Sequence, residues 1–339
     1  MPFLRPRKMF AYNNSIAYCR INKCASTFSL ETTRNIFNCR GETCDDIEKV
    51  IRTSVDMFGE VQNIVNEMYS FFFVREPYRR LFSTYSNKFY LPKEYWAPVG
   101  PQVVRRYRMF PSADSLTYGH DITFRELIQY TVDRFERKAK LDVHLRPMYR
   151  FCNPCFFNFT YIGTLETLDS DWNNMFSTWK KLNLVNVPNN VTVSDVYLKS
   201  HLPEIMHFYR SKETLKNSTI PVYNLFQRVW SYFQISGRIS KHMALPYTRE
   251  EVVQLEYIDF HRAVSDAIDS SKKEDKHIKS QRTDSLKQAY ATIPKELLER
   301  LRNFVLEDCN MFGYDSRPDW LFGDDLANFK TDFDYFPAI

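Results

Sequence analysis

The stretch "MYSFFFVREPYRRLFSTYSNKFY" (residues 68–90) limits the fold more than any other part of the chain. Its first seven residues form a nearly unbroken apolar run, of the length and composition of a strand buried on both faces of a parallel sheet. Pro77 follows in a first-turn position, and Tyr78, Leu81, Phe82 and Tyr85 recur at helical spacing, so a strand passes straight into a helix. The same change occurs earlier. "SIAYCRI" (15–21) is rich in strand formers, and "ASTFSLETTRNIF" (25–37) sets Phe28, Ile36 and Phe37 at roughly helical spacing. Two strand-to-helix units predict an α/β fold: a P-loop-like three-layer sandwich with a central, mainly parallel sheet flanked by helices.

Further along, "ITFRELIQYTVDRF" (122–135) reads as an amphipathic helix and "FNFTYIGTLE" (157–166) as a strand. "SDWNNMFSTWKKL" (170–182) reads as a helix capped by Ser170 or Asp171. A last helix over 293–314 begins with Pro294 and carries Leu297, Leu298, Leu301, Phe304 and Val305 on a face expected to pack on the sheet. Between about 190 and 290 the sequence turns polar, and the charge run "SSKKEDKHIKSQR" (270–282) reads as a loop or solvated helix face. The expected organisation is an N-terminal extension over 1–14, then a single domain over 15–339 with a divergent polar insertion at about 190–290. No internal repeat is present.

Composition removes several classes. With 339 residues, 44% of them hydrophobic, and only 8 glycines, the chain is neither disordered nor fibrous. The net charge is +5, with basic clusters such as "RRYR" (105–108) that favour acidic partners. No run approaches the ~18 apolar residues that span a bilayer, and the N-terminus lacks a signal-peptide centre. The 7 cysteines and the sequons at Asn13, Asn158, Asn190 and Asn217 suit an oxidising, glycosylating compartment. Cys152-Asn-Pro-Cys155 has no second pair at metal spacing, so it reads as disulfide cysteines rather than half a zinc site. The sequence does not set the pairing, and the odd total leaves at least one thiol without an intrachain partner.

Lys23 stands where the first strand ends and a helix begins, but the glycine-rich signature Gly-x-x-x-x-Gly-Lys-Ser/Thr is missing, which argues against a P-loop kinase. Helix N-termini carry about half a positive charge and unpaired N–H groups, so two strand-to-helix turns on one parallel sheet predict two anion sites at its carboxyl edge. The first offers Arg20 and Lys23 with the hydroxyls of Ser26 and Thr27. The second offers Arg75, with Ser83 about two helical turns on.

These residues carry a family resemblance. "CRINKCASTF" (19–28) and "FFFVREPYRRLFSTYSNKF" (71–89) resemble the two nucleotide-binding segments of the carbohydrate sulfotransferases, Golgi enzymes that use 3'-phosphoadenylyl sulfate. "DVHLRPMYRFCNPCFFNFTYIGTLETLDSD" (142–171) is similar to the stretch of the chondroitin, dermatan and HNK-1 type branch with His, Cys-x-Pro-Cys, an apolar strand, Gly and Glu-Thr-Leu. "LEDCNMFGY" (306–314) resembles the family's closing helix. The order Lys23-Cys24-Ala25-Ser26-Thr27-Phe28 is nearer to the Lys-x-Ala-Ser-Thr of the uronyl 2-O branch, and Leu145 stands where a Trp is common.

The resemblance implies transfer of a sulfuryl group from 3'-phosphoadenylyl sulfate to a sugar hydroxyl of a glycosaminoglycan or related glycan, chondroitin-type acceptors being favoured. It places the donor on Arg20, Asn22, Lys23, Cys24, Ala25, Ser26, Thr27, Phe28, Arg75, Arg79 and Ser83, with Lys23 at the leaving oxygen. His144 is the leading candidate for the base, followed by Glu166 and His120. No metal and no nucleic acid enter this scheme. The implied partner is an acidic glycan, and the implied location is the Golgi lumen or membrane, any membrane attachment depending on an anchor outside this sequence. A sulfotransferase-like protein that binds without turnover is the alternative.

Overall fold

The computed structural model describes residues 9–37, 39, 48–51, 58–93, 96–185, 202–215, 218–274 and 278–337. It divides into two compact units: one of residues 1–80, 143–200 and 305–316, the other of 81–142, 201–304 and 317–339.

The first unit holds a five-stranded sheet of order β3-β1-β2-β4-β5. Its strands are β1 (Met9–Tyr12), β2 (Ile16–Cys19), β3 (Glu48–Ile51), β4 (Tyr69–Val74) and β5 (Tyr161–Thr164). β2, β4 and β5 run parallel, as expected from the two strand-to-helix units. β1 and β3 extend the sheet antiparallel on one side. Residues 9–12, expected in an N-terminal extension, thus belong to the sheet. All four side chains of β1 are buried, because the strand lies between β2 and β3. The β1–β2 hairpin turns on Asn13 and Asn14, both exposed and both with positive φ (46° and 48°). Asparagine tolerates this region better than most residues. Tyr12 pairs with Ile16, so the loop has three residues, 13–15, and Ser15 N–H closes it on the Tyr12 carbonyl at 3.0 Å.

β4 is the hydrophobic centre. Phe71 and Phe73 point to one face and meet Trp172, with ring centroids 6.1 Å away in each case. Phe72 points to the other and meets Phe159 at 4.7 Å and Phe312 at 6.0 Å. This alternation is the two-residue period of a strand covered on both sides. Each fully buried Phe contributes about 2–3 kcal/mol. Gly163 faces Phe73 across the β4–β5 pair, and a Cβ there would sit 2.3 Å from the Phe73 ring, so only glycine fits.

Helix α1 (Ser26–Ile36) packs through Phe28 on Trp172, 5.3 Å between centroids. α2 (Phe58–Glu67) precedes β4, and α3 (Pro77–Thr84) follows it. α7 (Leu168–Lys181) follows β5. Its N-cap is Thr167 rather than Ser170 or Asp171, and no side chain caps it. Asp171 instead accepts from Thr164 N–H and the Thr167 and Tyr161 hydroxyls, which draws it back to the end of β5.

The second unit is helical among the described residues. It includes α4 (Trp96–Tyr107), α5 (Ala113–Tyr118) and α6 (Phe124–Glu136), the last closed by a Thr123/Glu126 capping box. The stretch expected to be a patchy polar insertion folds, where described, into α8 (Leu202–Thr214), α9 (Val222–Ile235), α10 (Tyr257–Glu274) and α11 (Gln281–Ala291). Its core is aromatic. Phe226 meets Phe208 and Phe260 edge to face, each at 4.8 Å. α12 (Lys295–Phe312) begins in this unit, and its residues from Val305 on belong to the first. No helix among the described residues is long and apolar enough to cross a membrane.

Candidate functional site

The parallel strands end together. β2 pairs with β4 and β4 with β5 in register, so Arg20, Arg75 and Leu165 leave the sheet at one edge. Leu165 N–H extends the ladder to the Val74 carbonyl at 2.8 Å. Ligands of open α/β sheets bind outside this carboxyl edge.

The first turn makes its bend without glycine. Lys23 (φ 67°) and Ala25 (φ 53°) both adopt the left-handed region, at about 1–2 kcal/mol each for residues with a Cβ. Neighbouring contacts hold this shape. Cys24 N–H reaches the Ile21 carbonyl, and buried Arg80 donates from Nε to the Asn22 carbonyl at 3.0 Å. Cys24 itself is buried with its Sγ 3.5 Å from Met148 Sδ. Burial pushes its thiol up to about 12, against the pull of Arg80 and Arg75, so it is a neutral packing group.

α1 starts directly after this bend. Ala25 is its N-cap and supplies no side-chain hydrogen bond, and the first helical bond runs from Ser29 N–H to the Ala25 carbonyl at 2.9 Å. The amides of Ser26, Thr27 and Phe28 have no acceptor within the helix. Ser26 is buried and Thr27 exposed, while the Phe28 ring lies in the core. Cys24 and Phe28 therefore offer a ligand only backbone groups. Arg20, Asn22 and Lys23 are half-buried in the turn.

The second turn is built differently. Glu76 accepts from Tyr78 N–H at 3.1 Å and Arg79 N–H at 2.7 Å, capping α3 with its own carboxylate. Its backbone N–H donates to Glu166 Oε1 at 3.0 Å, and Tyr314 Oη donates to Glu166 Oε2 at 2.9 Å. Burial raises the Glu76 carboxyl, against these bonds and the charges of Arg79 and Arg75. The expectation of a second amide-lined anion site is thus corrected: two carboxylates occupy those donors. What the turn presents instead is cationic. Arg75 and Arg80 are 8% and 2% exposed, and both act electrostatically on Cys24 in the first turn. Arg79 pairs with Glu76, with Nε 4.0 Å from Oε2. Ser83 is half-buried in the last turn of α3, within the second unit.

A third segment lies along the first turn. Cys152 forms a disulfide with Cys19 at the end of β2, not with Cys155, whose thiol is free and exposed. Four residues upstream of that disulfide, Met148 touches Cys24. Asp308, fully buried on α12, receives the amides of Met148 and Tyr149, both at 2.8 Å. Burial raises its carboxyl to about 6, opposed by Arg80 and these two bonds. His144 is 8% exposed in the turn that leads into this segment. Glu166 is committed to the second turn. His120 belongs to the second unit.

Arg80 and Asp308 are the positions missed by sequence reasoning. Nothing in "PYRRLF" separates Arg80 from Arg79, and an acid on a closing helix carries no local signal of the turn it will hold.

An uncapped helix N-terminus on an α/β sheet, with a lysine in the preceding turn and two buried arginines nearby, is an arrangement that can hold an anion. Over residues 7–219 the chain matches the model of the sulfotransferase family, and it belongs to that family. Its curated relatives are carbohydrate sulfotransferases. It is 33% identical over 152 residues to carbohydrate sulfotransferase 14 of Danio rerio, covering 44% of this chain and 39% of that one. It is 31% identical over 177 residues to carbohydrate sulfotransferase 14 of Homo sapiens, covering 51% and 44%. With carbohydrate sulfotransferase 8 of Homo sapiens it shares 35% over 121 residues, covering 35% and 27%. The matched regions span less than half the length of these relatives. No solved structure matches at a significant level.

Proposed function

We propose that this chain is a carbohydrate sulfotransferase that moves a sulfuryl group from 3'-phosphoadenylyl sulfate to a sugar hydroxyl of a glycosaminoglycan or related glycan, of chondroitin type in first preference. The observation that carries this reading is the uncapped start of α1, with Lys23 in the bend before it and Arg75 and Arg80 acting on the same bend. The names of the relatives agree with it.

Sulfuryl transfer makes the demands of phosphoryl transfer: in-line geometry, charge neutralisation on the leaving oxygen and a proton acceptor. The sulfur–oxygen bond to the donor's 5'-phosphate breaks, a bond to the sugar oxygen forms, and the hydroxyl proton passes to a base. Lys23 neutralises the leaving oxygen. The first-turn amides with Ser26 and Thr27 hold the 5'-phosphosulfate, and Arg75 takes the 3'-phosphate. His144 accepts the proton. What supports His144 is the course of its segment, fastened to the first turn at Cys152 and Met148.

A Golgi lumenal setting suits the Cys19–Cys152 disulfide and the exposed sequon asparagines Asn13 and Asn158. Asn190 and Asn217 lie outside the described residues.

The test is transfer from labelled 3'-phosphoadenylyl sulfate to desulfated chondroitin, dermatan and heparan chains. Lys23→Ala is expected to lower kcat by about 10²–10³, the usual loss for a group that meets developing charge. Arg75→Ala should act mainly on donor KM, and His144→Ala on kcat. Transfer that survives both Lys23→Ala and Arg75→Ala overturns the mechanism. Donor binding without transfer to any acceptor supports the non-catalytic alternative.

A further inference from the structure

The second unit contains a buried arginine without a carboxylate. Arg228 on α9 is 7% exposed, and no acid among the described residues lies within ion-pair range of it. Its guanidinium is stacked 4.7 Å from the Tyr90 ring centre and 5.5 Å from that of Trp96, and one terminal nitrogen donates to the His120 carbonyl. The Tyr90 hydroxyl lies near Arg228 and Ser231. Buried charges in proteins are normally paired, and two aromatic faces with one carbonyl fall short of a counter-ion.

Three buried nitrogens in this cluster have no hydrogen-bond partner: Arg228 Nε, Trp96 Nε1 and His120 Nδ1. The Trp96 and His120 rings are neighbours, 6.0 Å between centroids, so the three groups belong to one place. Trp96 is 2% exposed, whereas His120 is half-buried and forms the side that reaches solvent. Asp121, next to His120, gives Oδ2 to Arg108 and the Ser115 hydroxyl, and its buried Oδ1 makes no hydrogen bond. Glu126 is likewise held by Arg108 at 2.7 Å. An unmade hydrogen bond on a buried donor costs about 1–3 kcal/mol, so a place that gathers two donors, an imidazole and a full positive charge asks for an acceptor-rich anion.

We propose that Arg228, Trp96 and His120 form an oxyanion-binding site for a carboxylate or sulfate group. The oxyanion can be a free ion or part of an acidic saccharide. The saccharide source rests on the sulfotransferase reading, while the oxyanion site itself does not. Arg228 supplies the charge and Nε–H, Trp96 a second N–H, and His120 a third contact at the solvent side.

The experiment is equilibrium binding of sulfate, glucuronate, a chondroitin oligosaccharide and neutral glucose to the full chain carrying Lys23→Ala, which separates this site from the first turn. Sulfate or glucuronate should bind and glucose should not. Trp96→Phe, which keeps the ring and removes the N–H, should weaken binding about tenfold, the worth of a hydrogen bond to a charged group. Arg228→Gln should weaken it at least as much. Tighter binding of the oligosaccharide than of sulfate assigns the saccharide source, and the reverse assigns the free ion. Anion binding that is absent, or unchanged in a folded Trp96→Phe variant, overturns the site and leaves the cluster to ordered water. Failure of sulfuryl transfer by the chain with Lys23 intact, with anion binding retained, would overturn only the enzymatic reading.

Discussion

The two strand-to-helix turns of the first unit begin from the same pattern and end in opposite uses. After β2, the chain spends two left-handed residues, Lys23 and Ala25, and leaves the amino end of α1 without a side-chain cap. After β4, Glu76 closes the amino end of α3 at once, and Glu166 takes the remaining turn amide. An open helix end can receive an anion from solution, whereas a closed one stabilises itself and lends its arginines to its neighbour. Equal sheet position therefore does not mean equal chemistry.

The largest way to break this contrast is at the base of the first turn. Cys19→Ser together with Cys152→Ser opens a cross-link spanning 133 residues, and the loop entropy of such a span is worth about 5 kcal/mol. Urea unfolding should show that loss, with the donor affinity of the folded fraction reduced as well. A loss confined to stability would show that the bend holds its shape without the disulfide.

Asp308 gives a smaller, pH-dependent effect. Burial raises its carboxyl to about 6, above the ordinary 3.8, so its contribution is complete below about pH 4 and is lost as pH rises through about 6. Stability of the wild type minus that of Asp308→Asn should fall by up to ~3 kcal/mol between about pH 4 and pH 7. A flat difference would show that the carboxyl titrates normally.

Glu76→Ala tests the second turn. Removing the cap should cost about 1–2 kcal/mol and free the amides of Tyr78 and Arg79. Added sulfate should then recover part of the loss in this variant more than in the wild type, turning the closed helix end into an open one. Equal recovery in both would mean that the cap is not what separates the turns.

The smallest effect is expected at Ala25→Gly. Relief of the left-handed penalty, about 1–2 kcal/mol, is opposed by the extra freedom glycine brings to the unfolded chain, about 0.5–1 kcal/mol. Thermal unfolding should move by less than about 1 kcal/mol, toward stability. A clear destabilisation would show that the Ala25 methyl matters more than its backbone.

Much of the sheet was legible because β2, β4 and β5 and the helices after them carry strong local periods. β1 was not, since "MFAY" is short and gains its meaning only between two partners. The helices from 202 to 291 were obscured by interspersed charge, although Leu225, Phe226, Val229, Trp230 and Phe233 do follow a helical stripe. Lys23 and Arg75 were legible as basic residues at strand ends. Arg80, Asp308 and the Cys19–Cys152 pairing were not, because each depends on a partner 58 to 160 residues away.

The sequence by itself determined where strands give way to helices and which basic residues stand at those changes, because backbone preference and apolar spacing act over a few residues. Only the tertiary structure decided which helix end stays open, which arginine reaches the first turn and which cysteine joins β2. Those outcomes depend on buried partners brought together by the sheet, and no local pattern encodes them.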